Sequence, residues 1–424
     1  MSTTYSMINE YLVLIVAILL SAYLLNLTTA LLNLRALRPD LPAEFVNTYD
    51  AHQYARSQEY TRTTTRFALF ESTVSLVVTL LFIFAGGFNL IDLAARSFGL
   101  ATIPTGLLFT GMLALLSAAL NLPFTLYATF VIEARFGFNT TTVATFFLDR
   151  LKAALLTVLL GAPLLAAILW LFATIGPAAW VYCWIAAVIF LLVVQFLAPV
   201  VIMPLFNTFT PLADGELKEA ITRYAAAQHF ALQGIYTMDG SKRSTRANAF
   251  FTGFGRFRRI VFFDTLLDKL STSEIVAVLA HEMGHYKRKH LLGMLVLSIL
   301  QTGLMFFLLS RFLDNPRLFE AFAMEHMSVY AGLVFFGFLY TPIATLLAIA
   351  LNAFSRRNEY QADRFVVESG AQGEDLISGL KKLSLSNLTN LTPHPVHVGI
   401  NYSHPPVLAR IRALRQFSPP DREQ

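Results

Sequence analysis

The sequence predicts a mainly α-helical, polytopic membrane protein. Of its 424 residues, 55% are hydrophobic and only 14% are charged, whereas soluble domains carry about 25% charged residues. Seven stretches of the chain are long and apolar enough to cross the hydrocarbon core of a bilayer. Lys and Arg are concentrated on one side of these stretches. These observations argue against a soluble globular domain.

The seven predicted spans are runs of apolar residues separated by polar or glycine-containing segments. They lie near 11–32, 67–91, 100–124, 153–174, 179–203, 291–312 and 329–354. The first run could be mistaken for a signal peptide. We predict a retained helix, because no basic segment precedes it and no small-residue cleavage site follows it.

The distribution of Lys and Arg predicts the orientation of the chain. With the N-terminus placed outside, the outer segments contain only Arg96, Arg311 and Arg317. The other Lys and Arg residues then lie on the inner side, as the positive-inside rule requires. The net charge of +5 mostly reflects this asymmetry and contact with the inner leaflet. We expect the bilayer as a partner and no nucleic acid, because no separate basic domain carries interleaved aromatic residues.

The largest polar insertion, 204–290, is predicted to form a small α+β region on the inner side. An amphipathic helix is expected over 214–229. A second helix is expected from Thr272, with Thr272 or Ser273 as its N-cap. Short strands separated by glycine and polar turns are predicted at 235–238, 247–251 and 259–263.

Two further inner segments complete the predicted organisation. Residues 33–66 join the first two spans and are expected to be helical. Residues 355–415 are expected to be largely helical, with a Pro-rich loop at 393–406. We therefore predict two domains, a membrane region over 1–203 with five spans and a catalytic region over 204–424 with the last two.

The segment His-Glu-Met-Gly-His at 281–285 is the strongest sign of chemistry. On a helix, His281 and His285 leave the same face and can hold one metal ion. Glu282 lies beside them, where it can take a proton from a water molecule. A chance match on a core helix is the alternative. We expect one zinc ion per chain.

Catalytic zinc sites use three protein ligands and leave one position for water, so a third ligand must come from elsewhere. Glu359 and Asp363 are four residues apart, just after the seventh span. Glu359 would bind zinc, and Asp363 would accept a hydrogen bond from a ligand imidazole. Alternatively, the two residues form a solvated acidic pair that faces nearby arginines.

The predicted topology favours Glu359 as the third ligand. The histidine pair precedes the sixth span by a few residues, and Glu359 follows the seventh span by a similar number. Because the sixth span leaves the inner side and the seventh returns to it, both half-sites reach the same face. The two spans therefore place the histidine pair and Glu359 at a similar depth, where they can form one site.

The chain contains further histidines outside the zinc motif. His404 lies in Tyr-Ser-His-Pro-Pro at 402–406, where two prolines restrict the chain, and it could donate to the oxyanion of a tetrahedral intermediate. A structural or merely exposed histidine is the alternative. His290 is five residues from His285 and is predicted to lie off the ligand face. No role is assigned to the histidines that lack partner spacing or lie in a loop. These are His52, His229, His326, His394 and His397.

Taken together, these segments resemble the type I CAAX prenyl endopeptidases, which are integral-membrane zinc metalloproteases. The resemblance extends over nearly the whole chain and is more specific than the zinc motif alone. Besides that motif, the matching segments are Tyr49-Asp50, Ser57–Tyr60, Pro204–Asn207, Phe209–Leu212, Gly240–Ser244, Asn248–Phe250, Phe263–Leu266, Glu359–Asp363 and Ser403–Pro406.

The resemblance implies a large water-filled chamber enclosed by the seven helices, with the zinc site near the inner face. It implies that Asp363 supports a zinc ligand, that His404 donates a hydrogen bond to the transition state, and that Arg410 pairs with a carboxylate near the site. A strand edge that binds substrate as an added strand is also implied. Its residues are Asn248, Ala249 and Phe250.

The expected function is that of a zinc metalloendopeptidase acting on peptide or protein substrates. The eukaryotic relatives remove the last three residues of prenylated CaaX tails. The chain is short and its third outer segment is compact, so we expect a bacterial inner-membrane homologue, with the zinc site and C-terminus in the cytoplasm. Quality control of misfolded, non-prenylated membrane proteins is then an alternative task.

A membrane channel or transporter with a structural metal is a remote alternative. Structural zinc sites normally have four protein ligands and are often rich in cysteine. The chain has one cysteine, and a glutamate beside the first ligand would have no purpose in such a site. The sequence therefore favours the enzyme.

Overall fold

Long helices make up most of the computed structural model, which describes residues 9–230, 232–252 and 259–417. Within these residues, six helical segments are long and apolar enough to cross a membrane, which supports the predicted mainly α-helical membrane fold. The helices of the first half are α1 Glu10–Arg35, α2 Ala51–Phe84, α3 Gly87–Arg96, α4 Thr102–Tyr127, α5 Val143–Ile175, α6 Ala179–Leu197 and α7 Met203–Phe206.

One of the six segments, Val143–Phe206, is 64 residues long. It contains a turn at Gly176, where φ is 71°, a value that glycine adopts without strain. The turn separates α5 from α6, and these two helices correspond to the predicted spans at 153–174 and 179–203. The turn favours a count of seven spans, which stays a prediction. The domain boundary predicted at residue 203 lies at the start of α7 and also stays a prediction.

The prediction for the second span is wrong at its C-terminal end. Residues 67–91 were expected to form one helix, but α2 ends at Phe84 and the separate helix α3 begins at Gly87. Between them Gly86 has a φ of 66°. A Cβ atom on Gly87 would lie only 2.4 Å from the ring of Phe82, so the tight turn depends on both glycines.

The second half of the chain contains the small α+β region and the last two long helices. Its strands are β1 Phe209–Pro211, β2 Gly234–Met238, β3 Ala249–Thr252 and β4 Arg259–Phe263. Its helices are α8 Glu216–Ala227, α9 Asp264–Leu267, α10 Thr272–Lys287, α11 His290–Leu309, α12 Pro316–Glu320, α13 Val329–Glu368, α14 Gly373–Ser386, α15 Pro395–Asn401 and α16 Val407–Phe417.

The four described strands form one sheet in the order β1-β2-β4-β3. β2 pairs with β4 in parallel, and β3 pairs with β4 antiparallel, so that Ala249 lies opposite Phe262. The strand predicted at 247–251 begins two residues later and ends one residue later, at Ala249–Thr252. β1 was not predicted, because it has only three residues and contains Pro211. In the resulting order, β3 lies at an edge of the sheet.

The helix that carries the zinc motif, α10, begins with a capping box that fixes its position. Ser271 is the N-cap, rather than Thr272 or Ser273 as predicted. The Ser271 side chain accepts a hydrogen bond from the backbone of Glu274, and the Glu274 carboxylate accepts one from the backbone of Ser271. Glu274 is buried and also binds Lys382 at 2.6 Å. The start of α10 is thus tied to α14.

A glycine within the zinc motif allows α10 to pack closely against α13. A Cβ atom at Gly284 would lie 2.9 Å from the Cα of Ala362, closer than side chains approach a neighbouring backbone. After α10, Lys289 has a φ of 57° and interrupts the helix before α11 begins at His290. The close packing and the interruption together determine which side chains meet at the site.

The membrane part contains an apolar cavity of about 470 Å³ between α2, α4 and α13. Val74, Leu113 and Phe338 are among its lining residues, and Glu71 is also at its wall. The resemblance implies a water-filled chamber larger than this cavity, and that chamber stays a prediction.

Candidate metal centre

The predicted ligands converge at the contact between α10 and α13. The Nε2 atoms of His281 and His285 are 3.2 Å apart. The carboxylate of Glu359 lies 3.5 Å from the first nitrogen and 3.3 Å from the second. The three residues thus offer ligand atoms within 4.8 Å of one another. Two imidazoles and a carboxylate at this spacing can hold a metal ion in common.

The hydrogen bonding of Glu359 fits a bound cation. The side chain is buried, and its Oε2 atom makes no hydrogen bond within the described part of the chain. A buried carboxylate oxygen without a donor is costly to leave unpaired. A metal ion at the convergence point would satisfy that oxygen and would also separate the two facing imidazole nitrogens.

The orientation of His281 is fixed from behind by α13 and α16. Its Nδ1 atom lies 2.9 Å from Oδ1 of Asp363, to which the Nδ1–H can donate. Arg410 donates from Nε to Oδ2 of the same carboxylate at 2.9 Å, and from a terminal nitrogen to Oδ1 at 2.6 Å. The lone pair of the His281 Nε2 is thereby left for a metal.

The groups around His281 shift its pKa. Burial and Arg410 act to lower its pKa, but the nearby carboxylates of Asp363 and Glu359 outweigh them and raise the pKa to about 9. A metal ion must therefore displace a proton from this imidazole at neutral pH.

The orientation of His285 depends on His290, which lies outside the ligand group as predicted but makes a contact that was not predicted. His290 is buried, and its Nδ1 lies 3.1 Å from Nδ1 of His285. Its Nε2 can donate to the side-chain oxygen of Gln361 at 3.0 Å. Since Nδ1 of His290 is then an acceptor, the Nδ1 of His285 carries the proton and its Nε2 is free for a metal.

The contact of His290 with His285 was not predicted for a structural reason. The helical spacing from His285 assumed an unbroken helix, whereas the turn at Lys289 brings His290 back toward the site. A lysine with positive φ gives no signal in the sequence, since such a backbone is uncommon for any residue other than glycine.

His404 approaches the same centre from the loop before α16. Its Nε2 lies 3.3 Å from Oε1 of Glu359, and 65% of its side chain is exposed. The Oγ of Ser403 lies 2.9 Å from the His404 Nδ1. If the hydroxyl donates to Nδ1, the Nε2 carries a hydrogen and points toward the centre.

A cavity of about 410 Å³ opens onto this centre. The predicted site residues at its wall are His281, Glu282, His285, Glu359, His404, Arg410, Asn248, Ala249 and Phe250. Asp363 lies behind His281, where it contacts Arg410. The structure therefore brings the predicted site residues together around one cavity, with a sheet edge along one side.

Two family descriptions match adjoining parts of the chain. Residues 30–208 match the family described as CAAX prenyl protease N-terminal, five membrane helices. Residues 211–418 match peptidase family M48.

Curated relatives share a large fraction of their length with the chain. It is 34% identical to CAAX prenyl protease 1 of Saccharomyces cerevisiae, with 89% of each chain covered. It is 32% identical to the CAAX prenyl protease 1 homolog of Homo sapiens, with 88% of each covered. The homolog of Arabidopsis thaliana is 40% identical over 69% of each chain.

A solved structure has the same fold. The crystal structure of S. mikatae Ste24p superposes with a TM-score of 0.92 at 31% sequence identity. The comparison covers 96% of this chain and 99% of that one.

Proposed function

The chain belongs to peptidase family M48 and to its CAAX prenyl protease group, and we propose that it removes the C-terminal tripeptide from prenylated CaaX substrates. Membership of this family makes the chain an integral, multi-pass membrane metalloendopeptidase that acts on peptide or protein substrates. The convergence of His281, His285 and Glu359 at a cavity bordered by β3, the edge strand of the described sheet, is the observation that carries the proposal.

We propose zinc as the metal, with one ion per chain held by His281, His285 and Glu359. Two imidazoles and one carboxylate form a typical set of protein ligands for catalytic zinc. When bound, zinc supplies positive charge that polarises a peptide carbonyl and lowers the pKa of a water molecule. The chain itself supplies the groups that orient the ligands and move protons.

Glu282 is the proposed general base. It follows the first ligand directly and lies at the cavity wall, so its carboxylate can accept a proton from the attacking water. The same carboxyl group can then protonate the amine that leaves.

His404 is the proposed hydrogen-bond donor to the developing oxyanion. With Ser403 donating to Nδ1, its Nε2–H points toward the centre. One such donor typically contributes about 2.7–4 kcal/mol to stabilisation of the transition state. The exposed position of His404 leaves it free to adjust to a bound substrate.

Asp363 and Arg410 are proposed to hold the first ligand in place. Asp363 accepts from His281, and Arg410 binds Asp363 through two nitrogens. Because all three side chains are buried, this arrangement keeps the ligand imidazole in one tautomer and one orientation.

β3 is the proposed binding edge for the substrate. An extended peptide that adds to an edge strand gains main-chain hydrogen bonds and a fixed register. Asn248, Ala249 and Phe250 lie at the cavity wall together with Glu282 and His404. A peptide bound along this edge would therefore pass the proposed base.

We further propose that the N-terminus lies outside and that the metal site and C-terminus face the cytoplasm. The support is the asymmetry of Lys and Arg between the segments that join the helices. A bacterial inner membrane stays a prediction that rests on the compact outer segment between α11 and α13.

Cleavage of a farnesylated peptide in proteoliposomes tests the proposed function. We expect release of an intact C-terminal tripeptide, identified by mass spectrometry, together with one zinc ion per chain. A metal chelator should abolish the release without unfolding the protein. Equal or faster cleavage of the same peptide without the farnesyl group, or cleavage only at other bonds, would contradict the proposal.

A further inference from the structure

The free edge of the sheet has a defined end near Ala247. The backbone N–H of Phe263 on β4 donates to the carbonyl of Asn248 at 3.0 Å. In an antiparallel pair, successive residues turn their backbone groups alternately toward the partner strand and away from it. The N–H and C=O groups of Ala247 and Ala249 therefore face away from β4, toward the free edge.

At Ala247 this edge is already occupied by a side chain. The Oδ1 of Asn387 accepts from the Ala247 N–H at 3.3 Å, and its Nδ2 donates to the Ala247 carbonyl at 3.5 Å. The carboxamide thus makes both hydrogen bonds that a residue of an added strand would make. A substrate residue could pair with Ala247 only by displacing them.

Asn387 is firmly held by its surroundings. It ends α14, and its own N–H donates to the carbonyl of Leu383 at 3.0 Å. The next residue, Leu388, is buried in an apolar cluster with Phe136 and Phe138. The side chain of Leu383 also lines the cavity. The end of α14 therefore forms a fixed wall across the edge.

At Ala249, the next position that faces this edge, the backbone N–H is bound by the side chain of the preceding residue. The N–H of Ala249 donates to Oδ1 of Asn248 at 2.9 Å. Rotation of this one side chain would free the N–H for a substrate carbonyl. The available edge thus begins at Ala249 and continues toward Thr252.

We propose that Asn387 closes the product side of the binding edge and so limits how many residues can follow the scissile bond. The inference rests on the proposed function, in which a short fragment leaves and the rest of the protein stays on the other side. Because Asn387 blocks the edge at Ala247, only the short C-terminal fragment of the substrate can lie on that side of the scissile bond. The C-terminus of the substrate therefore lies toward Ala247, and the substrate runs antiparallel to β3.

The test compares two farnesylated peptides that differ only at the C-terminus. One ends three residues after the farnesylated cysteine, and the other continues for two more residues. Values of kcat/KM for cleavage after the cysteine are measured in proteoliposomes, and the released fragment is identified by mass spectrometry. The wild type should strongly prefer the shorter peptide. Asn387→Ala should raise the ratio of kcat/KM for the longer peptide to that for the shorter on the order of tenfold, as expected for two lost hydrogen bonds.

Two further variants separate closure of the edge from a general effect on folding. Asn387→Asp keeps the shape and the acceptor but sets an oxygen against the Ala247 carbonyl, so it should raise the same ratio. Asn390→Ala is the matched control, because Asn390 bonds to Asn33 on α1 and not to the edge. It should leave the ratio unchanged. Because the ratio compares two substrates of one sample, a loss of folded protein cancels.

Other outcomes would overturn the inference. One is a wild type that cuts both peptides equally well. Another is a pair of Asn387 variants that lose activity on both peptides without a change in the ratio, which would make Asn387 a structural residue only. If the wild type cuts neither farnesylated peptide, the proposed function itself fails.

Discussion

The two ends of α13 each contact a buried carboxylate, and the two carboxylates differ in how fully they are paired. Near its N-terminal end, which the predicted orientation places outside, Tyr330 contacts the buried Asp92 on α3, and we call these residues the outer cluster. Near its C-terminal end, which the same prediction places inside, α13 contributes Glu359 to the inner cluster. The 29 residues between Tyr330 and Glu359 span about 44 Å of helix, enough to place the two clusters on opposite sides of a bilayer.

The outer cluster is satisfied by the chain alone. Tyr330 donates to Oδ1 of Asp92 at 2.6 Å, and Arg96 donates to Oδ2 at 2.7 Å. Each carboxylate oxygen therefore has a donor. Such a cluster ties α3 to α13 and needs nothing else.

The inner cluster is not satisfied by the chain alone. Oε2 of Glu359 makes no hydrogen bond with the described residues, and two imidazole nitrogens face each other at 3.2 Å. Arg410 lies 3.5 Å from the same oxygen, farther than the hydrogen bonds of 2.6 and 2.9 Å that it makes with Asp363. The comparison suggests that paired buried charge stabilises the fold, whereas incompletely paired buried charge marks the place of a ligand.

The largest expected effect comes from the inner carboxylate. Glu359→Gln should abolish bound metal and lower peptide cleavage to background, on the order of 10⁴-fold or more. Zinc content and cleavage are measured on the same sample, with Asp92→Asn as the matched outer variant. If Glu359→Gln still binds one metal ion per chain, then Glu359 is not needed to hold the metal, and the proposed difference between the two clusters is wrong.

Glu282→Gln separates catalysis from metal binding. Because Glu282 is proposed to move protons and not to hold the metal, the variant should retain zinc. Its kcat should fall by about 10²–10⁴-fold, the usual contribution of general acid–base catalysis. Metal analysis and single-turnover cleavage give the two values, and loss of zinc together with activity would make Glu282 part of the metal site.

His290→Ala tests whether a neighbouring side chain orients a metal ligand within the inner cluster. Without the acceptor for its Nδ1–H, His285 should be less well oriented, and zinc affinity should fall about 10–100-fold. Competition with a fluorescent chelator measures the affinity. His52→Ala is the control, because His52 is exposed on α2 and far along the chain from the site. Equal affinities for both variants would show that the contact between His290 and His285 is incidental.

Asp92→Asn should affect stability and leave the chemistry unchanged. Loss of the charge that pairs with Arg96 should cost about 1–3 kcal/mol, seen as a lower midpoint of thermal unfolding in detergent. The kcat per folded molecule should match the wild type. A large fall in kcat without a change in stability would link the outer cluster to catalysis.

The smallest effect concerns Glu274 at the start of α10. Burial alone would raise its pKa, but hydrogen bonds from Lys382 and Ser378 lower it overall. The ionised carboxylate therefore stabilises the fold above the pKa of an unfolded glutamate, and this contribution is lost as pH falls through the lower folded pKa. Glu274→Gln should be less stable than the wild type at pH 7, and the difference should shrink toward pH 3. A difference that is independent of pH would contradict this assignment.

The sequence predicted features that depend on short patterns. Long apolar runs could be identified as membrane helices because the bilayer sets their length. The i, i+4 spacing of His281 and His285 required only one helix, and the hairpin of two spans pointed to Glu359. The roles assigned to these residues stay proposals until they are tested.

Other features were not predicted, and the physical reason differs from one feature to the next. The N-cap at Ser271 could have been found, since only this residue has a glutamate three positions later. The end of α2 was also signalled, by Gly86 and Gly87. The contact of His290 depends on a backbone turn at Lys289 that no residue preference indicates. The closure of Ala247 by Asn387 joins residues 140 positions apart, which no local pattern can show.

X-ray absorption at the zinc edge of the purified wild-type protein shows whether His281, His285 and Glu359 hold the metal. We expect one zinc ion per chain, with two imidazole ligands at about 2.0–2.1 Å and the remaining ligands oxygen. Fully active protein without bound zinc, or a zinc ion whose ligands do not include two imidazoles, would contradict this expectation.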